Sequence, residues 1–116
     1  MIKVKEIIND KWDYLNLLLL ADEQEDMIFR YLDRGEMFVL ESDNDILAIC
    51  VVTDEGDSVC ELKNISVLPE FQKKGYGKQL INYIEKRFSG RFHKLIVGTG
   101  DSPLTVPFYK KCGFVQ

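Results

Sequence analysis

The stretch Lys63-Asn64-Ile65-Ser66-Val67-Leu68-Pro69-Glu70-Phe71-Gln72-Lys73-Lys74-Gly75-Tyr76-Gly77-Lys78 decides how the chain is read. A strand runs from Val59 to Leu68, and Pro69 marks its end because proline cannot donate to a sheet ladder. A short loop rich in glycine and lysine follows. It opens directly into a helix over 75–88, where Tyr76, Leu80, Ile81, Ile84 and Phe88 recur at helical spacing. The first amides of a helix have no partner within it. They point outward with the positive end of the helix dipole and so favour phosphate. Gly75 and Gly77 let the main chain approach an anion with no Cβ in the way. Lys73, Lys74 and Lys78 gather positive charge in a chain of net charge -4, as a site for a multiply phosphorylated ligand would. A G-x-G after a strand is weak by itself, since the lysines read equally as a solvated face. Two commoner phosphate motifs are excluded. No G-x-x-x-x-G-K-[ST] occurs, and Leu80 stands where a dinucleotide loop needs its third glycine.

Outward from this stretch the chain alternates strands and helices. Ile2 to Ile7 alternates apolar and charged residues, as an opening strand does. Asp10 or Asp13 is placed to cap a helix carrying Leu15 and Leu17 to Leu20. A second helix spans Glu23 to Arg34, with Met27, Ile28, Tyr31 and Leu32 on one face and Gly35 as its stop. Glu36 to Leu40 and Ile46 to Val52 read as a hairpin across Ser42-Asp43-Asn44-Asp45. The near-continuous apolar run of the returning strand calls for cover on both faces. Asp54-Glu55-Gly56-Asp57 reads as the next turn. After the helix, Phe92 to Val97 is a strand, Gly98 to Pro103 a loop and Leu104 to Cys112 a short helix stopped by Gly113. The order β-α-α-β-β-β-α-β-α predicts an α/β fold. It is a mixed sheet with helices on both faces and one right-handed parallel crossover.

The length of 116 residues suits a single domain, 1–116, large enough to bury a core without disulfides or metal. The acidic balance argues against a general nucleic-acid binder. Cys50, Cys60 and Cys112 are odd in number and widely spaced, which fits reduced structural thiols in a cytoplasmic protein. No metal-ligand cluster appears. The start Met1-Ile2-Lys3-Val4-Lys5 lacks a signal peptide's apolar core, and Leu17 to Ala21 is too short to span a membrane.

Gln72-Lys73-Lys74-Gly75-Tyr76-Gly77 resembles the Gln/Arg-x-x-Gly-x-Gly/Ala signature of the GNAT acyltransferases. Ile65-Ser66-Val67-Leu68-Pro69 is similar to the strand end before that loop. Phe108-Tyr109-Lys110-Lys111-Cys112-Gly113-Phe114 is similar to the family's F-Y-x-x-x-G-F block. The resemblance covers nearly the whole chain. It implies acetyl-CoA as cosubstrate, no metal, and acetyl transfer to an amine by direct attack. The main chain of Ile65 and Val67 would pair with the pantetheine arm in a gap left where the strand splays from Phe92 to Val97. Gln72, Lys73, Lys74, Gly75, Tyr76, Gly77 and Lys78 would wrap the pyrophosphate.

Tyr109 would protonate the leaving thiolate, unless it only packs between Phe108 and Phe114. Glu61 would act as the base through water. It lies four residues before Ile65 and is expected on the same sheet face; the alternative is a solvated carboxylate. His93, the only histidine, is the weaker base. Where the family carries Asn and Ala, this chain has Ser102 and Thr105. Ser102 or Asp101 would hold a pantetheine amide or a water, and Ser102 can cap a helix. The family usually adds one or two strands after G-F, whereas Gln116 ends this chain. The final strands are therefore expected to be missing or very short. Either the chain is truncated or a partner subunit covers the edge, and a homodimer is the expectation. Asp22, Glu23, Glu25 and Asp26 would attract a cationic amine or form a solvated face. Small amines, peptide N-termini and protein lysines all remain open as acceptors. A non-catalytic acyl-CoA-binding module is the alternative function, and a structural interaction domain a third that the loop argues against.

Overall fold

The computed structural model describes residues 2–20 and 25–97 together with the backbone of 104–107. Its strands are β1 (Ile2–Ile7), β2 (Glu36–Ser42), β3 (Asp45–Gly56), β4 (Val59–Val67), β5 (Lys94–Val97) and β6 (Leu104–Pro107). They lie in one sheet in sequence order. The pairs are antiparallel except β4 with β5, which is parallel. The helices are α1 (Leu15–Leu18), α2 (Glu25–Tyr31) and α3 (Tyr76–Phe88). This is the mixed α/β architecture that the element order calls for.

The sheet divides two cores. On one face Phe38, Leu40, Cys50, Val52, Cys60, Leu62 and Leu95 pack against Leu80, Ile84 and Phe88 of α3. On the other, Ile7, Met37, Val39, Ile49 and Val51 pack against Leu18 of α1 and Ile28 and Tyr31 of α2. Alternate residues of β2 and β3 thus serve opposite cores, which is why both strands read as continuous apolar runs. Gly35 follows α2 as expected, but for a reason of space. A Cβ there would stand 2.6 Å from Val51 Cγ1 and 2.9 Å from Tyr31 O.

Several expectations are corrected. The leucine run folds as one α-turn after a 3-10 turn at Lys11–Tyr14. Neither aspartate caps a helix through its side chain, and the residue before α1 is Tyr14. Four consecutive leucines have no helical period, and Leu18 is the residue of α1 that is buried. Met27 is exposed, while Ile28, Tyr31 and Leu32 are buried. The second hairpin turns at Asp57-Ser58, later than expected, with φ of 55° and 63°. Two positive φ values at the central residues match the right-handed twist of the flanking strands.

Phe92 precedes β5 rather than starting it. Its N–H bonds Phe88 O at 3.0 Å and its ring stacks on Phe88. Leu104–Pro107 is a strand, antiparallel to β5, where a helix was expected. Thr105 and Val106 are β-branched, and Pro107 disfavours helical backbone in the residue before it. The rest of that expected helix, 108–112, lies outside the described residues.

Candidate acyl-CoA site

Among the described residues, the parallel ladder between β4 and β5 runs from Val59↔Lys94 to Leu62↔Val97. β4 continues to Val67, paired to β3 alone among the described residues. Its register carries a bulge: Val51 faces Asn64 but Val52 faces Leu62, so Lys63 is the extra residue. Leu68 N–H donates to Leu47 O at 3.1 Å, which makes that position a hydrogen-bonded pair. Such pairs alternate along an antiparallel ladder. Ile65, opposite Cys50, and Val67, opposite Ala48, therefore fall at the intervening pairs. Their N–H and C=O groups point away from β3. Gln72 Nε2 donates to Val67 O at 3.1 Å, in keeping with that direction. The Gln72 side chain is thus turned back onto the strand end and pins the loop to it.

After a 3-10 turn at Pro69–Phe71, the chain reaches α3 through two left-handed residues, Lys73 at φ 65° and Gly75 at φ 84°. Gly75 is the residue before the first turn and no side chain caps the helix there. The first intrahelical bond runs from Gln79 N–H to Gly75 O at 3.0 Å. The N–H groups of Tyr76, Gly77 and Lys78 precede it and have no partner along the helix. Gly77 is where α3 comes closest to β4, since a Cβ there would lie 3.3 Å from Val67 Cγ2. Phe71 and Tyr76 meet edge to face and pack against the α3 core, which anchors both ends of the loop. Lys73, Lys74 and Lys78 are exposed around these amides. Free amides, a glycine-shaped approach and three cations suit a pyrophosphate.

Glu61 is placed differently from the expectation. The bulge at Lys63 shifts the alternation by one. Glu61, opposite Thr53, and Asn64, opposite Val51, share the face that α1 and α2 cover, while Ile65 and Val67 face α3. The rule that residues four apart share a face fails across a bulge. Glu61 Oε1 lies 3.0 Å from Lys63 Nζ. Lys63 also stands 4.0 Å from Glu55, which Arg34 approaches to 3.2 Å. The Thr53 hydroxyl donates to Glu55 and is the main cause holding that carboxyl below its usual range, with Lys63 and Arg34 assisting. His93 is exposed just before β5, where its N–H bonds Ser58 O at 2.7 Å. Tyr109, Ser102 and Asp101 lie outside the described residues, as do Asp22 and Glu23.

A buried polar group beside Ile65 escaped the sequence reading. Asn64 donates to Leu18 O and Tyr31 Oη, and Ser66 donates to Asn64. The available signal was an asparagine inside a strand, where that residue is depleted. Among the described residues no group of three or more His, Cys, Asp or Glu is placed to hold a metal ion.

An outward-facing strand main chain that leads into an uncapped, glycine-led helix suits the binding of a phosphorylated acyl carrier, as a transferase needs. Known proteins agree. The sequence profile of the acetyltransferase (GNAT) domain matches residues 33–116. The uncharacterized N-acetyltransferase YvbK of Bacillus subtilis (strain 168) is 36% identical over 115 residues, which are 97% of this chain and 73% of that protein. A GNAT family acetyltransferase from Elizabethkingia anophelis, solved with acetyl-CoA bound, superposes with a TM-score of 0.80 at 31% identity. The match covers 87% of this chain and 67% of that one. A Bacillus subtilis acetyltransferase in complex with CoA gives 0.77 at 31%, over 88% and 68%. This chain belongs to the GNAT acetyltransferase family and is an acetyl-CoA-dependent N-acetyltransferase.

Proposed function

We propose that the chain is a single catalytic domain that moves an acetyl group from acetyl-CoA to a primary amine by direct attack. The observation that carries this reading is the outward-facing main chain of β4, where the groups of Ile65 and Val67 lead to the free amides of α3. In this reading the pantetheine arm pairs with Ile65 and Val67. The amides and lysines of 73–78, with Gln72 holding the loop to the strand, receive the pyrophosphate. Ser102 completes the pantetheine side.

The amine nitrogen attacks the thioester carbonyl carbon, the C–N bond forms and the C–S bond breaks. Glu61 takes the amine proton through water, and Tyr109 returns a proton to the departing sulfur. The products are the N-acetylated amine and CoA. A thioester is already activated toward an amine, so the step calls for no metal. The assignment extends to a cytoplasmic homodimer with no nucleic-acid or membrane partner. Its acceptor is a small molecule or a peptide amine. Acidic net charge supports the nucleic-acid part of this, and no helix of the described residues is long and apolar enough to cross a membrane.

One observation favours the non-catalytic acyl-CoA-binding module as a second reading: the Glu61 carboxylate is engaged by Lys63. Calorimetry with acetyl-CoA, beside a variant carrying Gly75→Glu and Lys73→Ala, tests the site. Free-thiol release over an amine panel tests turnover. Saturable binding lost in the variant, with Glu61→Gln and Tyr109→Phe each lowering kcat about a hundredfold or more at unchanged acetyl-CoA affinity, is the expected result. Binding without turnover of any amine selects the module. No binding refutes both.

A further inference from the structure

One side-chain amide fastens both N-terminal helices to β4, beside Ile65. Asn64 is 4% exposed. Its Nδ2 donates to Leu18 O at 2.9 Å and to Tyr31 Oη at 3.1 Å, and its Oδ1 accepts from Ser66 Oγ at 3.2 Å. Leu18 ends α1 and Tyr31 ends α2. Both amide protons of a single asparagine are thereby used, one on each helix. Burying a polar side chain in a strand costs stability that an apolar residue of similar size would not, so the network is more than filler.

We infer that Asn64 is a positioning residue for the acceptor side of the site. It sets α1 and α2 over the sheet face that carries Glu61, and the open edge at Ile65 and Val67 does not depend on it. This rests on the transferase reading proposed above. The bulge at Lys63 makes the arrangement possible, because it turns Asn64 and Ser66 toward the helices and leaves Ile65 and Val67 facing α3. Trp12, the only tryptophan, packs against Phe29 of α2 at 4.7 Å between ring centroids, with the rings tilted by 43°. Its fluorescence therefore reports the helix pair directly.

The test compares wild type with Asn64→Leu and with the milder Tyr31→Phe, which carries the test alone if the first does not fold. Acetyl-CoA affinity is read by calorimetry and Trp12 accessibility by iodide quenching. Thiol release is followed with spermidine, phenethylamine, a lysine-bearing tripeptide, and hydroxylamine as a nucleophile that needs no pocket. Loss of the two hydrogen bonds that reach the helices should raise KM for the pocket-dependent amine about tenfold in Asn64→Leu, and loss of the one to Tyr31 about threefold in Tyr31→Phe. Quenching of Trp12 should change, while the acetyl-CoA Kd and the hydroxylamine rate stay at wild-type values. An unchanged amine KM overturns the inference alone. A parallel loss of amine binding, acetyl-CoA affinity and hydroxylamine rate also overturns it, because the network then serves general stability. A wild-type chain that turns over no amine overturns the transferase reading, and the inference with it.

Discussion

Gly75→Ala separates the conformation of the loop from its chemistry. Gly75 sits at φ 84° and ψ 8°, in the left-handed region. A Cβ built there meets nothing within 4 Å, so the substitution clashes with no neighbour. Its cost is conformational, roughly 1–2 kcal/mol for a left-handed L-residue. For a chain of this length that lowers Tm by about 4–8 °C. Relief of the strain would rotate the loop and move the amides of Tyr76, Gly77 and Lys78 out of convergence. Losing one charge-assisted hydrogen bond, worth about 1.5–3 kcal/mol, weakens acetyl-CoA roughly ten- to a hundredfold.

Gly75→Asn should lose less on both counts, since asparagine tolerates this conformation better. Gly77→Ala behaves differently. Its Cβ would come 3.3 Å from Val67 Cγ2, and the better helix propensity of alanine, up to about 1 kcal/mol, offsets that crowding. Thermal melts followed by circular dichroism, with calorimetric titration of acetyl-CoA, measure both effects. If Gly75→Ala melts with wild type and binds with full affinity, the left-handed turn is not what shapes the site.

Three further outcomes are expected. Gly35→Ala pushes a methyl against Val51 and Tyr31 O, so thermal melts should show a destabilisation of about 1–3 kcal/mol. The Thr53 hydroxyl, with Lys63 and Arg34 nearby, holds the Glu55 carboxyl below its usual range in the folded chain, so its charged form stabilises the fold at neutral pH. The contribution is lost as the pH falls through the folded value. The Tm gap between wild type and Glu55→Gln should be widest near neutrality and close in acid. Burial pushes the Cys60 thiol up to about 11 and the Cys50 thiol higher still. Neither should be alkylated by iodoacetamide at pH 8 in the folded chain, as peptide mass mapping would show.

The sheet, its crossover and the glycine-led loop before α3 were legible because each has a local cause. Alternation marks β1, a two-sided apolar run marks β3, and a glycine-led amphipathic segment marks α3. The N-terminal helices were less legible, because consecutive leucines carry no period and tertiary burial selects Leu18 from among them. The Leu104–Pro107 segment was misread through its place between a loop and an aromatic block, although Thr105, Val106 and the prolines favoured a strand. The side-chain arrangement on β4 was illegible for a different reason. A bulge is a relation between two strands, and no residue type at Lys63 announces it.

That bulge explains how one strand can serve two substrates. On a regular strand every second side chain shares a face, so Glu61, Lys63, Ile65 and Val67 would all point the same way. A carboxylate would then share a face with the apolar residues that pack against α3, and Asn64 and Ser66 would lie opposite it. The extra residue shifts the phase. Glu61, Asn64 and Ser66 come together toward α1 and α2, while Ile65 and Val67 seal the α3 core. The main chain of Ile65 and Val67 is left facing away from β3. In the reading proposed above, cosubstrate recognition by backbone and acceptor positioning by side chains then occupy consecutive residues without competing. Deleting Lys63 would place Glu61 two residues before Asn64, so regular pairing with β3 would keep Glu61, Asn64 and Ser66 on one face and Ile65 and Val67 on the other. Amine turnover, read by thiol release, should therefore fall less in this deletion than in Glu61→Gln, and a larger fall would refute the reasoning.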